Sequence, residues 1–321
     1  SPVVITYSHS SWNPNIMPFF ALLSVYAIWK VWHLNYKWLI VFGVSIAFVL
    51  QSHYFGLLLL PIFVIFWLIT LKAIRGKRKE IRKFVNLSLI SLLLFAVLMS
   101  PLVIFDARHG WRNLTALKQF ITSNQGTVTL LPSDTLPRVW PIFEQISQRL
   151  LTGKEKEIGT YTAIAIVFGL IWVGVRLRQK DIVREDLKPF IMVISWIGVG
   201  LLGLSLYKQE IYDHYFGFLF PAPFILLGGL VNEVLKNSKM LKEGRGLGKS
   251  IGYRLLLFAL VLLPVANLLE NPLRYPPNLQ FQKTEGVAKK IAFEAKGSKF
   301  NLAVIADRNY EDAYQYFLEW W

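Results

Sequence analysis

Eight apolar stretches, close to residues 16–33, 38–52, 54–71, 84–105, 159–175, 190–207, 215–235 and 254–270, dominate this chain of 321 residues. A helix needs about 20 mostly apolar residues to cross the roughly 30 Å hydrocarbon core of a bilayer, and backbone inside lipid must satisfy its own hydrogen bonds. Runs of this length and number predict an all-α polytopic membrane protein of about eight transmembrane helices. The second and third runs are divided only by Gln51-Ser52-His53-Tyr54. Joined, they are too long for one crossing, so a tight re-entry is expected there. Composition agrees, with 54% hydrophobic and 17% charged residues, against about 25% charged in soluble domains.

The net charge of +15 would suggest nucleic acid if it formed one patch on a soluble fold. Here the basic residues sit in short loops between apolar runs, where they set orientation, so no nucleic-acid partner is expected. Lys72, Arg75, Lys77, Arg78, Lys79, Arg82 and Lys83 face one acid, Glu80, which makes that loop cytoplasmic. Alternation from this anchor puts 20 basic and 6 acidic residues inside and leaves 15 basic and 14 acidic outside. The chain has no cysteine, which removes disulfide, thiolate-metal and thiol-nucleophile chemistry.

On this topology the outer face receives residues 1–15, the break at 51–54, the loop 106–158, the loop 208–214 and everything after about 270. Four of the five histidines, His9, His53, His109 and His214, fall there, and only His33 lies inside. Within 106–158, Leu114–Ile121 and Trp140–Ile146 read as interfacial helices that lie on headgroups or cap a cavity. Residues 1–270 form the expected helical domain. From residue 271 onward a helical pattern over 283–296, a buried strand over Phe300–Ile305 and a helix over Glu311–Trp320 predict the start of a small extracytoplasmic α/β domain. The opening Ser1-Pro2-Val3 without Met and the end at Trp320-Trp321 read as those of a fragment, its N-terminal part missing and not expected to catalyse alone.

Four outer clusters carry chemistry, each beside a plain structural alternative. Trp12, Asn13 and Asn15 can stack on a sugar and bind hydroxyls, or form a Pro-marked helix entry with an aromatic-belt Trp. His53 and Tyr54 interrupt hydrocarbon, where polar groups usually face a cavity, although a turn also needs polar residues. Asp106-Ala107-Arg108-His109-Gly110-Trp111-Arg112 offers guanidinium and imidazole to a phosphate, or an ordinary juxtamembrane ion pair through Asp106. Asp213-His214-Tyr215 sets a carboxylate beside an imidazole, or is a solvated loop. His214-Tyr215 repeats His53-Tyr54, but no internal duplication of the chain is apparent. HExxH and Cys/His zinc spacings are absent. Gly244–Ser250 echoes a phosphate loop without its spacing, and Asn113-Leu114-Thr115 fits the short N-glycosylation pattern.

Ser11-Trp12-Asn13-Pro14-Asn15, Gln51-Ser52-His53-Tyr54, Phe105-Asp106-Ala107-Arg108-His109-Gly110 and His214-Tyr215-Phe216 followed by Phe220-Pro221 resemble the later portion of glycosyltransferase family 39, GT-C-fold membrane enzymes akin to protein O-mannosyltransferases and the aminoarabinose transferase of lipid A. The resemblance implies an enzyme of the prokaryotic cytoplasmic membrane. Such an enzyme moves a sugar, with inversion, from a polyprenyl-phosphate carrier to a protein, lipid or glycan acceptor outside the cytoplasm. It implies a catalytic carboxylate in a first outer loop that nothing here matches, so that base is expected upstream of Ser1. Trp12, Asn13, His53, Tyr54, Asp106, Arg108, His109, Asp213, His214 and Tyr215 are the candidate substrate-binding residues, with Arg108, His109 and His53 or His214 on the carrier phosphate. No cofactor is named, and a divalent metal is neither required nor excluded. A polysaccharide ligase or polymerase acting on lipid pyrophosphate, and a polytopic transporter of lipid or sugar, are the competing classes.

Overall fold

The computed structural model describes residues 1–9, 12–122, 127–178, 184–241, 261–305 and 311–321. Among them the chain is predominantly helical and forms no strand beyond one isolated bridge, Val128 with Tyr207. It divides into two compact units, Ser1–Pro272 and Leu273–Trp321.

The first unit holds α1 (Pro2–Ser8), α2 (Met17–Trp32), α3 (Trp38–Ser52), α4 (Leu60–Ala73), α5 (Arg78–Arg108), α6 (Arg112–Thr122), α7 (Pro132–Leu151), α8 (Lys156–Arg178), α9 (Arg184–Ser205), α10 (Pro221–Leu241) and α11 (261–269). Five helical spans are long and apolar enough to cross a membrane: Asn13–Trp32, Tyr54–Ala73, Arg78–Arg108, Lys156–Arg176 and Asp186–Ser205. A sixth is bent by 50° between Asp213–Leu219 and Pro221–Lys236. Among the described residues, five or six of the expected eight meet that length. Helix α3 is apolar but only 15 residues long, about 22 Å at 1.5 Å per residue and short of the hydrocarbon core. The eighth run lies partly outside the described residues, as does Gly244–Ser250.

Helices α3 and α5 run parallel in constant register. Tyr36 meets Phe84, Gly43 lies against the Ser91 backbone, and Gln51 Nε2 donates to the Leu98 carbonyl at 3.3 Å. At Gly43 a Cβ would collide with the Ser91 carbonyl, the small-residue contact by which helices approach closely in lipid. Polar side chains also tie helices together: Ser24 Oγ donates to Ser45 Oγ at 2.8 Å between α2 and α3, and Trp67 Nε1 to Ser88 Oγ at 3.0 Å between α4 and α5. Because α3 stops at Ser52 and α5 runs on from Leu98 to Arg108, α5 overhangs its neighbour by about 15 Å.

Helix α7 corrects the interfacial expectation for Trp140–Ile146. Ile142, Phe143, Ile146, Leu150 and Leu151 are buried in the main hydrophobic core, and α7 packs on α8 and α9. Its apolar stripe is satisfied by protein rather than by headgroups. Helix α6 is strongly amphipathic, with Leu114 exposed.

The second unit pairs α12 (Gln280–Ala295) with α13 (Asp312–Trp320), Phe281 meeting Phe317 at 5.1 Å. The strand expected over Phe300–Ile305 does not form. A lone strand has no ladder to satisfy its amides, and the described residues offer no partner.

Candidate active site at two converging helix breaks

The sequence His-Tyr-Phe-Gly occurs twice, at 53–56 and at 214–217, and each copy leads to a proline, Pro61 and Pro221. Both copies pass through 3-10 turns, with His53 extended ahead of the first and His214 inside the second, where Phe216 leaves helical geometry. Residues Tyr54–Leu59 and Asp213–Leu219 are 3-10 helices, each running into an α-helix that carries the proline in its first turn. Proline suits that position because its missing N–H would be unpaired there anyway. The missed local duplication extends the repeated His-Tyr pair by two residues and by a shared backbone form.

The two breaks bring His53 and His214 together, ring centroids 5.5 Å apart. Tyr215 lies 5.0 Å from His53 and 4.6 Å from His214, and Trp12 packs 4.6 Å from His214. Tyr7 stacks on Trp12 at 6.3 Å, while Phe55 and Tyr207 complete the aromatic wall beside Tyr215. Trp12, His53, His214 and Tyr215, singled out at three distant places in the chain, thus share one cleft.

Its frame is built by residues from α7 and α9. Arg149 grips Asp213 with a bidentate fork, Nε donating to Oδ1 at 2.8 Å and Nη2 to Oδ2. Gln145 Nε2 donates to the Ile211 carbonyl at 2.8 Å, and the fully buried Trp196 donates through Nε1 to the Phe218 carbonyl at 3.1 Å. The hydrogen bonds that Arg149 donates to Asp213 hold its guanidinium above its ordinary value. Burial, and next the Asp213 carboxylate, push the Tyr7 hydroxyl up. Asp213 is thereby a fixed counter-ion that sets the start of the second break. Asn13 does similar work at the first, donating to the Ser52 carbonyl at 3.4 Å.

His53 has a readable tautomer. The Phe55 backbone N–H donates to its Nδ1 at 3.3 Å, so the ring proton sits on Nε2 and can be offered to a ligand oxygen. Burial, and then the nearby His214, lower its pKa to about 4, in keeping with a neutral donor.

The remaining candidates lie elsewhere. Tyr54 is 53% exposed, with no ring contact to the cleft among the described residues. At the overhanging end of α5, Asp106 is buried and pairs with neither Arg108 nor Arg112. Its two carboxylate oxygens accept from the Asn113 and Leu114 N–H groups at 2.7 and 3.0 Å, capping α6 as side-chain oxygens do at helix starts. Gly110 (φ +70°) and Trp111 (φ +58°) turn the corner in the left-handed region, where glycine is unstrained and tryptophan is not. Arg108, His109 and Arg112 are exposed, and His109 Nδ1 is 2.7 Å from the Phe105 carbonyl, the opposite tautomer to His53. No hydrogen bond or ring contact joins this corner to the cleft among the described residues.

Tyr7, Arg149, Gln145 and Tyr207 were not singled out from sequence. A buried carboxylate needs a cation, but the burial of Asp213 is not visible in the sequence. No group of three or more His, Cys, Asp or Glu among the described residues could hold a metal ion. Comparison with protein-family models, with curated proteins and with solved structures finds no match to this chain.

Proposed function

We propose that the cleft belongs to a membrane glycosyltransferase that moves a sugar from a polyprenyl-phosphate carrier to an acceptor outside the cytoplasm. The carrying observation is the meeting of His53 and His214 beside Trp12 and Tyr215. Transfer needs donors aimed at the departing phosphate as charge develops on it, and aromatic faces suit the apolar side of a sugar ring. On this reading His53 Nε2–H and the His214 ring address the phosphate, Trp12 and Tyr215 flank the sugar, and Arg149–Asp213 positions His214. The base on the acceptor hydroxyl is not assigned to any residue of this chain. The test is transfer from a polyprenyl-phosphate sugar by the protein in membranes, where His53→Ala and His214→Ala should each nearly abolish product. Near-normal activity in both removes the cleft from the reaction.

One observation favours a transporter as the second reading. Paired interrupted helices mark substrate sites in transport folds, and the twin His-Tyr-Phe-Gly breaks are such a pair. Transport sites, however, lie near the bilayer midplane, whereas His53 follows the last residue of α3 and His214 stands at the start of its bent span. Counterflow of a lipid-linked sugar across vesicles without product formation would select the transporter.

A further inference from the structure

At the opposite ends of α3 and α5 from the imidazole cleft lies an open hollow of about 480 Å3, lined by Lys37, Lys79, Arg82, Lys83, Asn86 and Leu87. The α5 members are spaced i, i+3, i+4, i+7 and i+8, which is one helix face, and Lys37 is the residue that precedes α3. Four cations around one hollow repel one another. The acid of this loop, Glu80, faces the Tyr36 hydroxyl instead, and Lys83 sits 6.0 Å over the Tyr36 ring. Among the described residues no carboxylate forms an ion pair with Lys37, Lys79, Arg82 or Lys83. The same face of α5 then turns apolar while staying open, with Ile90 44%, Leu93 62% and Val97 58% exposed.

We propose that the hollow binds the headgroup of an anionic phospholipid, its phosphate held by Lys37, Lys79, Arg82 and Lys83 and its acyl chains lying along Leu87, Ile90, Leu93 and Val97. Basic pockets between membrane helices take acidic headgroups. A soluble anion would use the cations but not the apolar continuation of the same helix face, and the continuity of the two is what selects a lipid. The inference does not depend on the transfer chemistry.

Native mass spectrometry of the full chain, released from mixed phosphatidylglycerol and phosphatidylcholine, tests it. Retention of phosphatidylglycerol over phosphatidylcholine is expected, weakened about 30-fold by Arg82→Gln with Lys83→Gln, from roughly a tenfold step per 1.4 kcal/mol and about 1 kcal/mol per basic side chain. The pair Lys72→Gln with Arg75→Gln removes the same charge from the same loop outside the hollow and should leave retention unchanged. Equal loss in both pairs would mean diffuse surface charge and overturn the site. So would equal retention of both lipids, displacement of the lipid by inorganic phosphate at comparable concentration, or a second copy of the chain on α5 in place of lipid. Should the variants fail to fold, thermal unfolding of the unaltered chain decides: a higher Tm with phosphatidylglycerol than with phosphatidylcholine supports the site, and no difference overturns it.

Discussion

The imidazole cleft and the Asp106–Arg112 corner differ in how they are made. The corner gathers an acid, two arginines and a histidine within seven consecutive residues, yet its acid caps a helix and its basic groups stand exposed. The cleft draws on α1, the entry to α2 and two helix breaks far apart in sequence, and it is half-buried. Chemical density along a chain is satisfied by local backbone, whereas convergence in space requires that packing bring remote groups together. Only the second creates a neutral, desolvated imidazole beside aromatic rings.

Substitutions can break this contrast. On the proposed function the largest effect is expected from His214→Ala, a loss of transfer of about 100-fold, the low end of what a positioned proton donor contributes; Arg108→Ala should cost under about tenfold in the same assay. The reverse ranking would move the site to the corner. Next, Arg149→Ala strands the Asp213 carboxylate, 11% exposed, against an arginine 31% exposed. Breaking a buried pair costs about 3–5 kcal/mol, and partial exposure reduces this to about 2 kcal/mol. Denaturant unfolding should show that cost, and Arg149→Lys should recover part of it. Asp106→Ala should cost about 1 kcal/mol through the lost cap, read as faster amide exchange confined to Arg112–Thr122 with transfer nearly intact.

A further effect sharpens the comparison by pH. His53 is held near pKa 4 in the fold against 6.5 unfolded, so the unfolded chain takes up a proton first on acidification. Its stability contribution is whole above pH 6.5, declines as pH falls between 6.5 and 4, and is flat below. His53→Gln should remove that slope, while His109→Gln should leave it in place.

Much of the architecture was legible because long apolar runs have few alternatives: each of the first seven has a helical counterpart, as does the described part of the eighth, 261–269. Span count was less legible, since α3 is apolar enough but too short, and the run after residue 213 is bent at Phe220-Pro221. The strand at 300–305 failed because a short apolar run does not declare its partner. At the site, His53, His214 and Tyr215 were readable as polar residues interrupting hydrocarbon, and Trp12 as an aromatic before a span. Arg149 and Gln145 sit on the polar stripe of an amphipathic helix, where sequence gives no hint that they face another loop. Tyr7 lies on a helix too short to show a period.

The twin 3-10 breaks have a consequence for solvent. Such turns hydrogen-bond poorly, and irregular backbone at membrane depth persists only where protein covers it or water reaches it. Leu59, Phe216, Phe218 and Leu219 are fully buried, whereas Tyr212, stacked on His214, is 40% exposed. The His214 side of the breaks is therefore open to water, and on the proposed reading transfer would take place in contact with solvent rather than in a sealed chamber.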